Sequence, residues 1–222
     1  MIHFITLIYH PATNDLLDLI YRDDTLLVAN KPAGLLAVPG RGADKEDCLA
    51  TRIQQEFPDA LVVHRLDMAT SGLMLFARGA EMQRRLSQLF RGREVQKRYV
   101  AVVAGKLGPA TGEVNLPIVA DWPNRPLRKI DIESGKPSLT RYRLLAHDGV
   151  TDTSRVELEP VTGRTHQLRV HMAAIGHPVL GDALYGGMVD ASSERLLLHS
   201  TLLSFVHPIS GEPLAFLSEP PF

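Results

Sequence analysis

Short apolar runs rich in β-branched residues alternate with turn residues along most of the 222-residue chain. Such runs, when glycine, proline, asparagine or aspartate bound them, are typical of β-strands. We predict strands over residues 25–29, 61–63, 73–77, 99–103, 139–145, 155–159 and 196–206. The first of these is expected to end at the turn KPAG, residues 31–34.

Apolar residues recur every three or four positions at three places, which predicts three amphipathic helices. The sets are Leu49, Ile53 and Phe57, with Asp47 as the predicted N-cap; Met82, Leu86, Leu89 and Phe90; and Leu168, Met172 and Ile175. Many strands and few helices, without strict βαβ alternation, predict an α+β fold with a mixed, mainly antiparallel sheet and flanking helices. Because no repeat or Ser/Gly/Pro-rich linker interrupts the chain, we expect a single domain over 1–222, with its core from about residue 21 onward.

The composition is that of a globular protein, with 45% apolar and 22% charged residues. The net charge of −1 excludes a chain that binds polyanions over its whole surface, so such binding would need a local basic patch. Cys48 is the only cysteine, which excludes an internal disulfide and disfavours a thiolate metal site. The N-terminal residues lack a signal-peptide pattern and no apolar run is long enough to cross a bilayer, so we expect a cytoplasmic protein without a membrane partner.

Positive charge is concentrated in residues 78–98, where seven basic residues stand against two acidic ones and give a local charge of +5. Arg84, Arg85 and Arg91 lie opposite the apolar face of the predicted helix. A solvated helix face and a track for a polyanion explain this pattern about equally well. A second basic patch favours the polyanion. It consists of Arg125, Arg128 and Lys129, beside the only tryptophan, Trp122.

The stretch HRLDMATSG, residues 64–72, places Asp67 close to an arginine among small and hydroxyl residues, without a helical or strand period. A lone aspartate in such a stretch most often closes a turn or caps a helix. A carboxylate in the company of Arg65, Thr70 and Ser71 could instead carry out chemistry. The residues of this stretch alone do not separate the two interpretations.

A second dense polar stretch is GRTHQLRVH, residues 163–171, in which a loop is expected to lead into a helix near Thr165. The free amide groups at such a helix start suit a phosphate. Arg169 falls at the edge of the apolar face, and a semi-buried arginine needs a carboxylate partner, for which Asp67 is a candidate. The chain has no HExxH zinc motif, no phosphate-binding P-loop and no GxSxG motif of a serine hydrolase.

Taken together, the motifs resemble those of the RluA-type pseudouridine synthases, and they occur in the order of that family. They are HRLDMATSG (64–72), KRYVAVVAG (97–105), GRTHQLRVHM (163–172) and GHPVLGD (176–182), with KPAG (31–34) near the start and RLLLHS (195–200) near the end. DWPNRP (121–126) resembles the compact dual-specificity branch, which modifies a loop of 23S ribosomal RNA and the tRNA anticodon stem-loop. Many relatives carry an S4-type RNA-binding domain before KPAG, and the short segment here predicts that this domain is absent.

The resemblance implies the pseudouridine synthase catalytic fold and an isomerase that converts uridine to pseudouridine in RNA by base flipping, without a cofactor or a metal. It assigns catalytic roles to Asp67 as nucleophile, to Tyr99, and to Arg169 paired with the Asp67 carboxylate, and it has Arg65 fill the space of the flipped base. Together with the basic stretches, it predicts RNA contacts for His64, Arg65, Thr70, Arg84, Arg85, Arg91, Lys97, Arg164 and His166. We expect the enzyme to be a monomer.

Two other classes of protein fit parts of the sequence. A non-catalytic RNA-binding module would need only the basic stretch, but it leaves the set of Asp67, Tyr99 and Arg169 unexplained. A glycoside or nucleoside hydrolase could use Asp67, but no second carboxylate stands in a comparable motif. For a synthase, the sequence leaves open whether Asp67 attacks C1′ of the ribose or takes a proton from C2′ to give a glycal.

Overall fold

The computed structural model describes residues 17–42, 45–187 and 193–222. These residues form two compact units. The first unit contains the described residues up to Tyr99 and those from Leu198 onward, and the second contains those from Val100 to Leu197. The single domain over 1–222 stays a prediction.

The described elements follow one another along the chain as strands and a smaller number of helices. In chain order they are β1 (Leu19–Arg22), β2 (Leu26–Lys31), α1 (Leu49–Glu56), β3 (Ala60–Val62), β4 (Ser71–Arg78), α2 (Ala80–Gly92), β5 (Gln96–Ala104), β6 (Thr111–Asn115), β7 (Ile118–Ala120), β8 (Arg128–Ile130), β9 (Leu139–Asp148), β10 (Thr153–Pro160), α3 (Gln167–Ala174), β11 (Leu198–Val206) and β12 (Pro213–Leu217). β5 begins in the first unit and ends in the second.

In the first unit the strands lie in the order β1-β2-β4-β11, with β12 beside β11 and β3 beside β4. β2 and β4 are antiparallel, whereas β4 and β11 are parallel. Side chains of β2 alternate between two apolar clusters: Leu26 and Val28 share one with residues of α2, and Leu27 and Ala29 share the other with residues of α1. Because helices cover both faces, residues 26–29 of β2 and 73–77 of β4 are apolar at every position rather than at every second one.

In the second unit the end of β5 is followed by β10, β9 and β6, and β7 and β8 form a separate hairpin. Helix α3 was expected to start near Thr165 and to bury one face, but it starts at Gln167 and is buried on all sides from Gln167 to Met172. Its polar residues have internal partners that make this burial possible. The Gln167 side-chain amide donates to Leu139 O (2.9 Å), and the His171 ring hydrogen-bonds the Thr140 hydroxyl (2.9 Å).

The α+β prediction with a mainly antiparallel sheet is confirmed, and all three predicted helices are present. The predicted N-cap of α1 is wrong. The helix is capped by Cys48, whose buried sulfur accepts the amide hydrogen of Thr51 (3.4 Å). Asp47 instead binds the Arg52 guanidinium (2.7 Å), because its carboxylate lies within reach of that side chain.

Candidate active site

The segment between β3 and β4 forms a loop that presents Asp67. The amide of Thr70 donates to the backbone carbonyl of Asp67 (3.1 Å), so the turn is closed by main-chain atoms. Two groups from the KPAG segment bind the next carbonyl, that of Met68: the Gly34 amide (2.9 Å) and the Lys31 ammonium (2.9 Å). Asp67 therefore closes the turn through its backbone carbonyl.

Lys31 is a fully buried lysine that sequence patterning treats as a turn residue. Its ammonium donates to three carbonyls, those of Pro32 (2.8 Å), Leu35 (2.7 Å) and Met68 (2.9 Å). An ammonium has three N–H donors, and each of these carbonyls accepts one of them. A buried charge held in this way fixes the Asp67 loop to the end of β2.

Strand β11 supports the other end of the loop. Gly72 has φ +111°, and a Cβ at this position would collide with the backbone of Ser200, so only glycine allows β4 and β11 to approach here. One residue earlier, the Ser71 hydroxyl hydrogen-bonds Nδ1 of His199 (2.8 Å). Nε2 of His199 in turn bonds the hydroxyl of Ser218 (3.0 Å). These buried polar contacts fix the register of the strand that follows the loop.

Tyr99, the second predicted catalytic residue, is buried in β5. It is the last residue of that strand that belongs to the first unit. Burial raises the pKa of its phenol to about 12; the Ser200 hydroxyl opposes this effect and the negative charge of Asp67 adds to it. The structure thus brings Asp67 and Tyr99 into electrostatic contact. With this pKa the phenol stays protonated at neutral pH.

Arg169, the third predicted catalytic residue, lies in the second unit and is only 4% exposed, more buried than the sequence indicated. Its guanidinium binds Asp182 through two hydrogen bonds, Nε to Oδ2 (2.8 Å) and Nη2 to Oδ1 (2.7 Å). It also lies 5.2 Å from the ring centroid of Tyr185, whose hydroxyl hydrogen-bonds Nδ1 of His166 (2.7 Å). The carboxylate that a buried arginine requires is thus present within its own unit, and the pairing of Arg169 with Asp67 stays a prediction.

The predicted RNA-binding residues differ in exposure. Arg65, Arg84, Arg91 and Arg164 are exposed, Lys97 and His166 are partly buried, and Thr70 is buried. Arg84 and Arg85 both bind Glu81, at 2.8 Å each, and these contacts lower the pKa of Glu81 to about 2. One carboxylate therefore offsets part of the positive charge on this face of α2.

His64 lies as a neutral ring against strand β4. The backbone amide of Leu75 donates to its Nε2 (2.9 Å), and the ring stacks on Phe90 at 4.5 Å. Burial, and to a smaller extent the charge of Lys97, lowers the pKa of His64 to about 3. At neutral pH the ring carries no positive charge, so any contact of His64 with RNA is that of a neutral group.

We expect His64 to make folding stability fall as the pH drops below about 6.5. Between that value and about 3 the unfolded chain binds a proton at His64 that the folded chain does not bind. The contribution approaches 1.4 kcal/mol per pH unit as an upper bound, so wild type should lose about 2 kcal/mol more than His64→Gln between pH 6.5 and 4.5. Urea unfolding of both proteins at the two pH values measures this difference, and equal losses would contradict the assignment.

Within the described residues, no helix combines the length and the hydropathy needed to span a membrane. In the same part of the chain, no group of three or more His, Cys, Asp and Glu side chains is arranged to hold a metal ion.

Four polar residues that lie near predicted catalytic residues of their own unit were not singled out from the sequence: Lys31 and Ser200 in the first unit, and Asp182 and Tyr185 in the second. Asp182 and Ser200 stand inside motifs that carry the resemblance, GHPVLGD and RLLLHS, which is the only signal that could have drawn attention to them. Ser200 is fully buried, and its hydroxyl lies close enough to the Tyr99 phenol to oppose the rise in the pKa of that group. It stands beside Tyr99 and is thus part of the same site.

Comparison with known proteins identifies the family of this chain. The sequence model of the RNA pseudouridylate synthase family matches residues 25–174. The chain is 48% identical to the dual-specificity RNA pseudouridine synthase RluA of Escherichia coli (strain K12), over 94% of this chain and 95% of that protein. It is equally similar, at 48%, to the protein of that name from Pasteurella multocida (strain Pm70), over 96% and 98% of the two chains.

A solved structure leads to the same family. Human RNA pseudouridylate synthase domain containing 1 superposes with a TM-score of 0.79 at 31% identity, covering 96% of this chain and 87% of the human chain. The match with the family model spans both the Asp67 loop and the GRTHQLR stretch. The chain therefore belongs to the RNA pseudouridylate synthase family and is an isomerase that acts on RNA.

Proposed function

We propose that this protein is a dual-specificity pseudouridine synthase, which modifies uridines in a loop of 23S ribosomal RNA and in the tRNA anticodon stem-loop. The observation that carries the proposal is the 48% identity, over nearly the full length of both chains, to relatives that are named for dual specificity. The sequence DWPNRP, on the β7–β8 hairpin, adds support because it resembles that branch of the family.

The reaction breaks the bond between C1′ of the ribose and N1 of uracil, turns the base, and joins C1′ to C5. The proton on C5 is released and N1 gains a proton, so the change is an isomerisation without oxidation. We assign Asp67 to the sugar, where its carboxylate adds to C1′ or takes the C2′ proton to give a glycal. The loop supports this role because main-chain atoms and the Lys31 ammonium hold it in place.

Tyr99 acts in this proposal as a neutral phenol. With its pKa raised to about 12, only a minute fraction is phenolate at pH 7, so Tyr99 is not the resting base for the C5 proton. Its ring is suited to stacking on uracil, and its hydroxyl is suited to donating a hydrogen bond beside Asp67. Arg169 is assigned to the same reaction by its place in GRTHQLR and by the resemblance.

The target uridine has to leave the base stack before Asp67 can reach its C1′. We propose that Arg65, which is exposed on the Asp67 loop, takes the place of the flipped base. A planar guanidinium can stack on the neighbouring bases and donate hydrogen bonds where the uridine was paired or stacked. Extraction costs least in loops, which agrees with loop and stem-loop substrates.

The test uses RNA labelled with tritium at C5 of uridine, as transcripts of the 23S loop region and of a tRNA anticodon stem-loop. We expect tritium release from both RNAs while the base remains in the chain. Release from one RNA alone would overturn dual specificity, and free uracil would indicate a hydrolase instead. Binding without release from either RNA would indicate a non-catalytic RNA-binding module.

We expect Glu81→Gln to strengthen RNA binding if α2 contacts the RNA. The change removes the carboxylate that holds Arg84 and Arg85 and raises the charge of this face by one. At low salt the affinity should rise about two- to fivefold, with a steeper dependence on salt concentration. Filter binding over a salt series measures this effect. Glu113→Gln, which removes one carboxylate beside the exposed Arg141 of the second unit, is the control, and equal affinity of the two variants would indicate a merely solvated helix face.

A further inference from the structure

The β7–β8 hairpin carries an exposed aromatic residue that the proposed reaction does not use. Trp122 follows β7 and is 66% exposed. The guanidinium carbon of Arg125 lies 3.6 Å from the ring centroid of Trp122. An arginine covers only one face of an indole, and the high exposure of this side chain agrees with a second face that is open to solvent.

Hydrogen bonds hold the tip of the hairpin in one shape. The Asp121 amide donates to the Leu127 carbonyl (3.1 Å), and the Leu127 amide donates to the carbonyl of Asn124 (3.0 Å). The side-chain amide of Asn124 donates to the carboxylate of Asp121 (3.0 Å). A loop ordered in advance presents Trp122 to a ligand with little further loss of conformational entropy.

The base of the hairpin is joined to the polar network around α3, within the second unit. The Arg128 amide donates to the hydroxyl of Tyr185 (2.9 Å), and that hydroxyl also bonds the ring of His166 (2.7 Å). The same tyrosine ring lies beside the Arg169 guanidinium. The hairpin is therefore fixed to residues of GRTHQLR, the stretch for which RNA contact and catalysis are proposed.

The chemistry of the hairpin suits an unpaired nucleotide. Residues 118–130 contain three basic side chains and one acidic side chain. An exposed indole stacks on any base, and nearby cations meet the phosphates, as in other surfaces that bind single-stranded nucleic acid. A protein partner would be expected to bury a wider apolar surface than one indole.

We propose that the Trp122–Arg125 pair is a stacking platform for an unpaired nucleotide of the RNA substrate, other than the uridine that reacts. The proposal rests on the proposed function, because it takes a stem-loop RNA with unpaired bases as the ligand. It adds a binding site to that function, since Asp67 and Tyr99 belong to the first unit and the platform belongs to the second.

Fluorescence tests the platform directly, because Trp122 is the only tryptophan of the chain. We expect anticodon stem-loop RNA to quench the indole emission of the Asp67→Asn enzyme. The quenching should saturate at the same RNA concentration as filter binding. Emission that stays unchanged while the RNA binds would overturn the proposal and would leave a protein as the partner of Trp122.

Steady-state kinetics give a second readout. Trp122→Ala is expected to raise KM about 5- to 150-fold with kcat within about twofold of wild type, and Trp122→Phe should recover most of the loss. Arg125→Ala should give a smaller increase in KM. Val150→Ala and Lys106→Ala, at exposed positions of the same unit, are the controls and should leave KM unchanged.

The two proposals fail in different ways. If Trp122→Ala and Val150→Ala have the same KM, the platform is overturned while the proposed function stands. If wild type releases no tritium from either RNA, the proposed function fails, and the quenching titration alone decides whether the platform exists.

Discussion

Replacing Asp67 with asparagine is expected to lower kcat for pseudouridine formation by at least about 10³-fold while RNA binding is retained. The amide has nearly the same shape as the carboxylate but no charge, so it can neither add to C1′ nor take the C2′ proton. The loop should keep its conformation, because its turn is closed by the amide of Thr70 and the backbone carbonyl of position 67. Tritium release measures the reaction, and filter binding at the same salt concentration measures the RNA affinity.

Asp24→Asn is the matched control for this experiment. Asp24 is an exposed aspartate of the same unit, and its replacement should leave both kcat and RNA affinity unchanged. Turnover by Asp67→Asn within about tenfold of wild type would contradict the catalytic assignment, since such a loss corresponds to about 1.4 kcal/mol of transition-state stabilisation. Lost binding together with lost turnover would indicate instead that the carboxylate holds the loop.

Replacing Asp182 with asparagine is expected to lower the free energy of unfolding by about 3–5 kcal/mol, with a fall in Tm of about 10 °C. The side chains of Arg169 and Asp182 are 5% and 0% exposed, so the change removes a buried negative charge that lies directly against a buried guanidinium. Oδ1 of Asp182 also accepts the amides of Leu184 (3.0 Å) and Tyr185 (3.2 Å), which a neutral amide oxygen binds less strongly. Urea unfolding and calorimetry at pH 7 measure the loss.

An exposed ion pair of the same unit provides the comparison. Arg141 and Glu113 are about half exposed, and Glu113→Gln should cost less than about 1 kcal/mol. The double variant Arg169→Met/Asp182→Leu should lose less stability than the two single changes together, because no lone charge is left inside. A cost for Asp182→Asn similar to that of Glu113→Gln would show that water reaches this pair.

Much of the fold could be predicted because local patterns carry it. The apolar runs that form β2 and β4 are long enough to identify strands, and the spacing of Met82 and Leu86 identifies α2. The strands β1, β6, β7, β8 and β12 were not predicted, since they are short and most contain polar residues, and their partners rather than their own pattern make them strands. The burial of helix α3 likewise depends on residues that are distant in sequence. The ring of His171 can be buried because the hydroxyl of Thr140, 31 residues earlier, forms a hydrogen bond with it.

The candidate site could be predicted only in part for a related reason. The sequence indicates that Arg169 needs a carboxylate, but only coordinates show that Asp182, 13 residues away, lies against it. Lys31 gives no signal of burial, because its partners are main-chain carbonyls and every residue has a carbonyl. The pairing of Tyr99 with Ser200 likewise depends on two strands that are distant in sequence.

The contact between Ser71 and His199 joins two residues that are 128 positions apart in the sequence. During translation the Asp67 loop leaves the ribosome long before β11, the parallel neighbour of β4, has been made. Non-local strand pairing of this kind forms late and slowly. A nascent chain released before residue 200 therefore lacks the support of its catalytic loop, so that a prematurely terminated product should have no modifying activity in the cell.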